Sequence, residues 1–137
     1  MGHHQTGYIV HLPAAAGAFI LWGGWAWFAN QAAGAAQALQ SALIQGCASA
    51  SITLLMAMLV NWLFLRIRSP LLAVLLPPLL MVSLSISLLY LIHSAGQTPR
   101  LWLTIIPPSS LAFAFCLYLT LRLARQSSTS VNRENTP

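Results

Sequence analysis

The chain alternates between four long apolar runs and short polar segments. The runs cover about residues 8–28, 38–65, 71–92 and 101–123. A helix needs about 20 residues to cross a hydrocarbon layer, because it rises about 1.5 Å per residue. The pattern therefore predicts an all-α membrane protein with four transmembrane helices in an antiparallel bundle. Residues 124–137 are polar and rich in Ser, Thr and Asn, and we expect them to form a disordered cytoplasmic tail.

The first apolar run has a second interpretation as a signal peptide. Ala36-Gln37-Ala38 has the small residues of a cleavage site. However, the segment before the run contains no Lys or Arg, and the run itself is long and holds Trp22, Trp25 and Trp27. We interpret it as a retained transmembrane helix.

Composition supports a membrane rather than an aqueous environment. Of 137 residues, 58% are hydrophobic and 5% are charged, whereas soluble domains are about a quarter charged. The net charge of +5 comes from six arginines and one acid, Glu134. Because the arginines lie at the edges of apolar runs, we assign them to membrane orientation and lipid contact, not to nucleic acid. Cys47 and Cys116 lie inside the runs and indicate neither a disulfide framework nor a zinc site.

Arginine placement predicts the topology. With four spans, one side of the membrane receives five arginines, and the other receives Arg100. The five are Arg66, Arg68, Arg122, Arg125 and Arg133. By the positive-inside rule this side is cytoplasmic, so both termini lie in the cytoplasm of a bacterial-type inner membrane. A second interpretation concerns the four arginines at the helix ends, which could bind an anionic headgroup such as a diphosphate. They are Arg66, Arg68, Arg122 and Arg125.

The second run carries a stripe of small and polar residues at helical spacing. Its members are Gly46, Ser49, Ala50, Thr53, Ala57 and Asn61. Residues three or four apart share one face of a helix, and small residues allow another backbone to approach closely. The stripe is either a helix-packing seam or a substrate-lining surface. We expect Asn61 to bond to another helix or to reach the headgroup region.

Two proline pairs interrupt the third and fourth runs. Pro77-Pro78 and Pro107-Pro108 each remove two backbone donors. They predict kinks, although interrupted helices also mark binding sites in transporters. The Leu- and Arg-rich ends of the second and fourth runs are alike, which is consistent with two hairpin repeats.

Chemistry inside the runs is sparse. They contain no Asp, Glu or Lys, and no nucleophile–base pair is visible. His11 and His93 are predicted at opposite membrane faces, so they cannot bind one haem. The sequence therefore predicts no enzyme, no cofactor and no metal site.

The stretch Val60-Asn61-Trp62-Leu63-Phe64-Leu65-Arg66 resembles the end of the second helix in GtrA-like proteins. That family consists of small four-helix membrane proteins associated with polyprenyl-linked sugars. The resemblance implies the same four-helix fold and a role with a lipid-linked substrate. The chain departs from the family pattern at Phe115–Tyr118, where it has no Asn.

Three functional classes remain open at this point. The first is a small translocator or accessory subunit for a lipid-linked or amphipathic substrate. The second is a structural or assembly subunit of a larger membrane complex, and the third is a holin-like or immunity-type membrane protein. The expected partners are membrane lipid and either further copies of the chain or a larger membrane complex.

Overall fold

The helices of the protein follow the four apolar runs. The computed structural model describes the backbone of residues 6–134 and the side chains of residues 12–56 and 58–126. The helices are α1 (Thr6–Asn30), α2 (Ala35–Arg66), α3 (Pro70–Ala95) and α4 (Leu101–Glu134), with a short 3₁₀ turn at Gln31–Ala33. No strand occurs within the described backbone.

All four helices are long and apolar enough to cross a membrane. The candidate spans are Leu12–Ala33, Ala35–Arg66, Pro70–Ala95 and Leu101–Gln126. Most of their large apolar side chains are exposed on the outer faces of the helices. In lipid this exposure costs nothing, because the surrounding solvent is itself apolar. The chain is therefore a multi-pass membrane protein.

Two boundaries differ from the sequence prediction. The segment between α1 and α2 is shorter than expected, because α2 begins at Ala35 directly after Gly34. Gly34 has a φ of 101°, a conformation that other residues rarely adopt, and this allows the abrupt turn.

At the C-terminal end of the chain, α4 continues through Glu134, whereas a disordered tail was expected from residue 124. No Pro or Gly follows Pro108 before Glu134, so no residue in that segment breaks the helix. Residues 135–137 lie outside the described part of the chain.

Helix α2 contacts each of the other three helices. It packs most extensively on α1 and less extensively on α3, and it touches α4 only slightly. Helices α3 and α4 pack closely on each other. The small contact between α2 and α4 leaves space between these two helices.

Glycines bring α1 and α2 into close contact. A Cβ atom added at Gly23 would lie 3.1 Å from the backbone oxygen of Ala42 and 3.6 Å from the Cα of Gly46. A Cβ added at Gly46 would lie 3.0 Å from the ring of Phe19. Larger residues would therefore force the two helices apart. This is the packing behaviour that small-residue faces give membrane helices.

Both proline pairs lie inside continuous helices, and in each pair another helix compensates for one of the two missing donors. Pro107 lacks the N–H that would bond to the Leu103 carbonyl, and the indole Nε1 of Trp25 on α1 donates to that carbonyl at 2.9 Å. Pro78 likewise has no N–H that could bond to the Val74 carbonyl. The hydroxyl of Thr120 on α4 lies 2.9 Å from that oxygen and shares its proton with a carbonyl of its own helix. The prolines thus create acceptors that connect α1 to α4 and α4 to α3.

The Trp25 bond can be tested with a double-mutant cycle. Trp25→Phe should lower the free energy of unfolding by about 1 kcal/mol, because the Leu103 carbonyl loses its donor. In a Pro107→Ala background the new N–H can bond to that carbonyl, so the same substitution should cost less. Unfolding in mixed detergent micelles measures both costs. Trp27→Phe, at an exposed position, is the control. An equal cost of Trp25→Phe in both backgrounds would rule out this compensation.

Candidate functional site

A cavity of about 770 Å³ occupies the space between α2 and α4. This volume lies within the range of small-molecule binding sites, about 300–1,000 Å³. All four helices contribute to its wall, with Trp22 from α1, Leu89 from α3 and most other lining residues from α2 and α4. The weak contact between α2 and α4 leaves room for this cavity.

The cavity is apolar along its middle and polar at its two ends. Ile52, Met56, Ala112 and Phe115 line the middle. Met56 belongs to a buried cluster with Val60, Met81 and Cys116, and Ala112 packs against that cluster. The middle of the cavity therefore accommodates a hydrocarbon chain better than a polar group.

One end of the cavity, named here the arginine end, is lined by Asn61, Arg122 and Gln126. The opposite end, named the deep end, includes Ser49 and Ser109. Ser109 and Arg122 are 13 positions apart in α4, which corresponds to about 20 Å along the helix. The cavity therefore extends about 20 Å along α4 and has a cationic group at one end.

A buried hydrogen-bond network lies beyond the deep end. The Nε2 of His93 on α3 is 2.7 Å from the Oε1 of Gln45 on α2, and the Nδ1 of His93 is 2.8 Å from the hydroxyl of Thr98. The Nε2 of Gln45 donates to the Ser49 hydroxyl at 3.1 Å. Ser49 therefore belongs both to the network and to the cavity wall.

The network defines the tautomer of His93. Since Gln45 uses its amide nitrogen to donate to Ser49, its carbonyl oxygen faces the imidazole and can only accept. We therefore assign the proton to Nε2 of His93, which leaves Nδ1 to accept from Thr98. The Ser41 hydroxyl lies 3.5 Å from that of Thr98. Gln45 and His93 are completely buried, and their polar groups are all paired.

A second polar cluster joins α1 to the start of α4. Asn30 donates to the Thr104 hydroxyl at 2.8 Å and to the Ala26 carbonyl at 2.8 Å. Its Oδ1 accepts from the backbone N–H of Arg100 at 2.8 Å. This N–H lies at the beginning of α4, where backbone donors have no partner in their own helix. Together the two networks close the structure at the end that carries the α1–α2 and α3–α4 connections.

The predicted stripe on α2 divides between packing and lining. Gly46 is a packing residue against Phe19 of α1, and Ala50 is half-buried. Ser49, Thr53 and Asn61 line the cavity, and Asn61 is exposed there. The side chain of Ala57 lies outside the described residues. The stripe therefore contributes one residue to a helix contact and three to the cavity wall.

The four predicted cytoplasmic arginines have different surroundings. Arg122 lines the cavity. The guanidinium of Arg66 lies over the ring of Trp62, 4.6 Å from its centroid, and this contact with an aromatic face is favourable for a cation. Arg68 and Arg125 are exposed. Of these four, the structure associates Arg122 with the cavity.

The sequence does not predict the polar contacts at the end of the bundle that carries the α1–α2 and α3–α4 connections. The sequence excludes a haem shared by His93 and His11, but it does not predict the hydrogen bonds of His93, Asn30, Thr98 or Thr104. A signal was present, because buried polar groups in a membrane helix need partners in the protein. Their pairing could not be predicted from the sequence, since His93 and Gln45 are far apart in the chain.

No cluster of potential metal ligands occurs among the described residues. Comparisons with protein-family models, curated proteins and solved structures give no match to this chain. The resemblance to GtrA-like proteins therefore stays a prediction.

Removing the imidazole tests the network. His93→Leu should leave the carbonyl oxygen of Gln45 and the hydroxyl proton of Thr98 without a partner and lower the free energy of unfolding by about 1–3 kcal/mol. Ser87→Ala, on an exposed face of the same helix, is the control, because its hydroxyl bonds only to the Ser83 carbonyl one turn earlier. Unfolding in mixed micelles is the measurement. A His93→Leu protein as stable as Ser87→Ala would contradict a role for the network in holding α2 against α3.

Proposed function

We propose that this chain binds a single-chain anionic amphiphile in the cavity between α2 and α4. In this proposal it acts as a small translocator, or as an accessory subunit for a lipid-linked or amphipathic substrate. The observation that carries the proposal is the cavity itself, which is apolar along its middle and has Arg122 at one end. An amphiphile has the same distribution of chemistry, with a hydrocarbon chain and a charged head.

The proposed orientation places the arginine end of the cavity in the cytoplasm. Gly23 lies against Ala42 while Phe19 lies against Gly46, an order that supports an antiparallel α1–α2 hairpin. Tyr90 contacts Trp102, which supports the same arrangement for α3 and α4. With four antiparallel spans, five of the six arginines share the side of Arg122. The positive-inside rule then assigns that side to the cytoplasm of a bacterial-type inner membrane.

The arginine end favours a phosphate or carboxylate headgroup. A guanidinium bonds to either group with two parallel N–H donors. Asn61 and Gln126 add amide groups at the same end of the cavity. The sequence resemblance to GtrA-like proteins implies a lipid-linked substrate, which agrees with an amphiphile as the ligand. A partner helix of a larger complex is the competing occupant of the cavity.

Hexadecyl phosphate is a suitable probe for the headgroup. We expect it to bind the protein in phosphatidylcholine nanodiscs, and Arg122→Gln should weaken binding about fivefold through the loss of about 1 kcal/mol of attraction. Arg68→Gln is the matched control, because it removes the same charge from an exposed position that does not line the cavity. Ala112→Trp should abolish binding by filling the cavity, whereas Ala114→Trp, at an exposed position of the same helix, should not.

Two outcomes would contradict the proposal. Equal losses in Arg122→Gln and Arg68→Gln would mean that the probe responds to surface charge alone. Unchanged binding in Ala112→Trp would mean that the probe does not enter the cavity.

A third outcome would favour the alternative function. If Ala112→Trp releases another membrane protein that crosslinks to α4 in the native membrane, a role as an assembly subunit replaces the proposal.

A further inference from the structure

Three serines from three helices lie in the wall of the cavity. They are Ser49 on α2, Ser85 on α3 and Ser109 on α4. Their exposed fractions are 7%, 5% and 4%, so all three are buried. Ser109 also borders a second cavity of about 300 Å³ between α3 and α4. Serines contributed by three separate helices therefore line a mainly apolar space.

Most hydroxyls elsewhere in these helices bond to their own backbone. The hydroxyls of Ser51, Thr53, Ser87, Thr104 and Ser110 each donate to the carbonyl four residues earlier. This is the usual solution for Ser and Thr in membrane helices. The Ser109 hydroxyl differs, because it is buried and has no hydrogen-bond partner. Ser49 accepts from Gln45, which leaves its own proton available.

A buried hydroxyl without a partner is costly, about 1–3 kcal/mol in proteins. The neighbouring Ser110 shows that a serine at this level of α4 can bond to its own helix. Ser109 is thus a donor and acceptor beside the cavity with no assigned partner. An oxygen atom of a bound molecule would provide one.

We propose that the deep end of the cavity is a subsite for an uncharged oxygen function on the ligand, such as a hydroxyl or a carbonyl. Ser109 donates to or accepts from this oxygen, and Ser49 supplies a second donor. Because Ser109 and Arg122 are about 20 Å apart along α4, the oxygen lies near the far end of the ligand's chain. The favoured ligand class is an anionic amphiphile with a hydroxylated or oxidised acyl chain. This inference rests on the proposed function, and it specifies the substrate class of the same cavity.

The test compares two fatty acids that differ in one oxygen atom. Binding of palmitate and ω-hydroxypalmitate to the full chain in phosphatidylcholine nanodiscs is measured by equilibrium competition. The wild-type protein should prefer ω-hydroxypalmitate about three- to tenfold, the value of one net hydrogen bond. Ser109→Ala should remove this preference, so that the two fatty acids bind with equal affinity. Ser110→Ala should retain it, because the Ser110 hydroxyl is exposed and already bonded to the Ile106 carbonyl.

The outcomes separate this inference from the proposed function. If the wild-type protein binds both fatty acids equally and Ala112→Trp blocks both, the cavity binds amphiphiles but the deep subsite does not exist. If Ala112→Trp blocks neither, the proposed function fails and the subsite with it. A preference that survives Ser109→Ala also overturns the assignment, and Ser49→Ala in that background shows whether Ser49 accounts for it. Thermal unfolding of each variant confirms that the comparison concerns folded protein.

Discussion

A polar group inside a lipid bilayer is costly unless it is paired, and most contacts between these helices depend on that cost. The hydrocarbon layer offers no hydrogen bonds, so an unpaired donor or acceptor keeps its full cost. The carbonyls released by Pro107 and Pro78 illustrate the effect. Each is bonded by a side chain of another helix, Trp25 in one case and Thr120 in the other. A local backbone defect therefore becomes a connection between helices.

The same cost explains why the two ends of the molecule differ. At the end with the α1–α2 and α3–α4 connections, His93, Gln45 and Asn30 are buried with their polar groups paired across helices. Toward the arginine end, α2 and α4 leave a cavity between them. One end of the protein is thus held by directional bonds, and the other has room for a ligand. This asymmetry is the physical basis of the proposed binding function.

The four spans were predictable from the sequence because hydropathy over about 20 residues depends only on local composition. The close-packing role of Gly46 was also predictable, since small residues at helical spacing mark a helix contact. The pairing of His93 with Gln45 was not, because it depends on the relative rotation of α2 and α3. The different surroundings of the arginines could not be predicted either. Charge counting treats Arg66 and Arg122 alike, although one lies over Trp62 and the other lines the cavity.

In the proposed binding mode the cavity opens at the arginine end, which the proposed topology assigns to the cytoplasm, and the His93 network closes it at the other end. Single cysteines in a Cys47→Ser, Cys116→Ser background test it directly, with a membrane-impermeant maleimide applied separately to each side of sealed vesicles. Asn61→Cys and Thr53→Cys should react from the cytoplasmic side alone, with Asn61→Cys the faster because it is exposed. Thr98→Cys, buried in the network, should react from neither side. Labelling of Thr53→Cys from the external side would show that the His93 network does not close the cavity, and it would contradict this account.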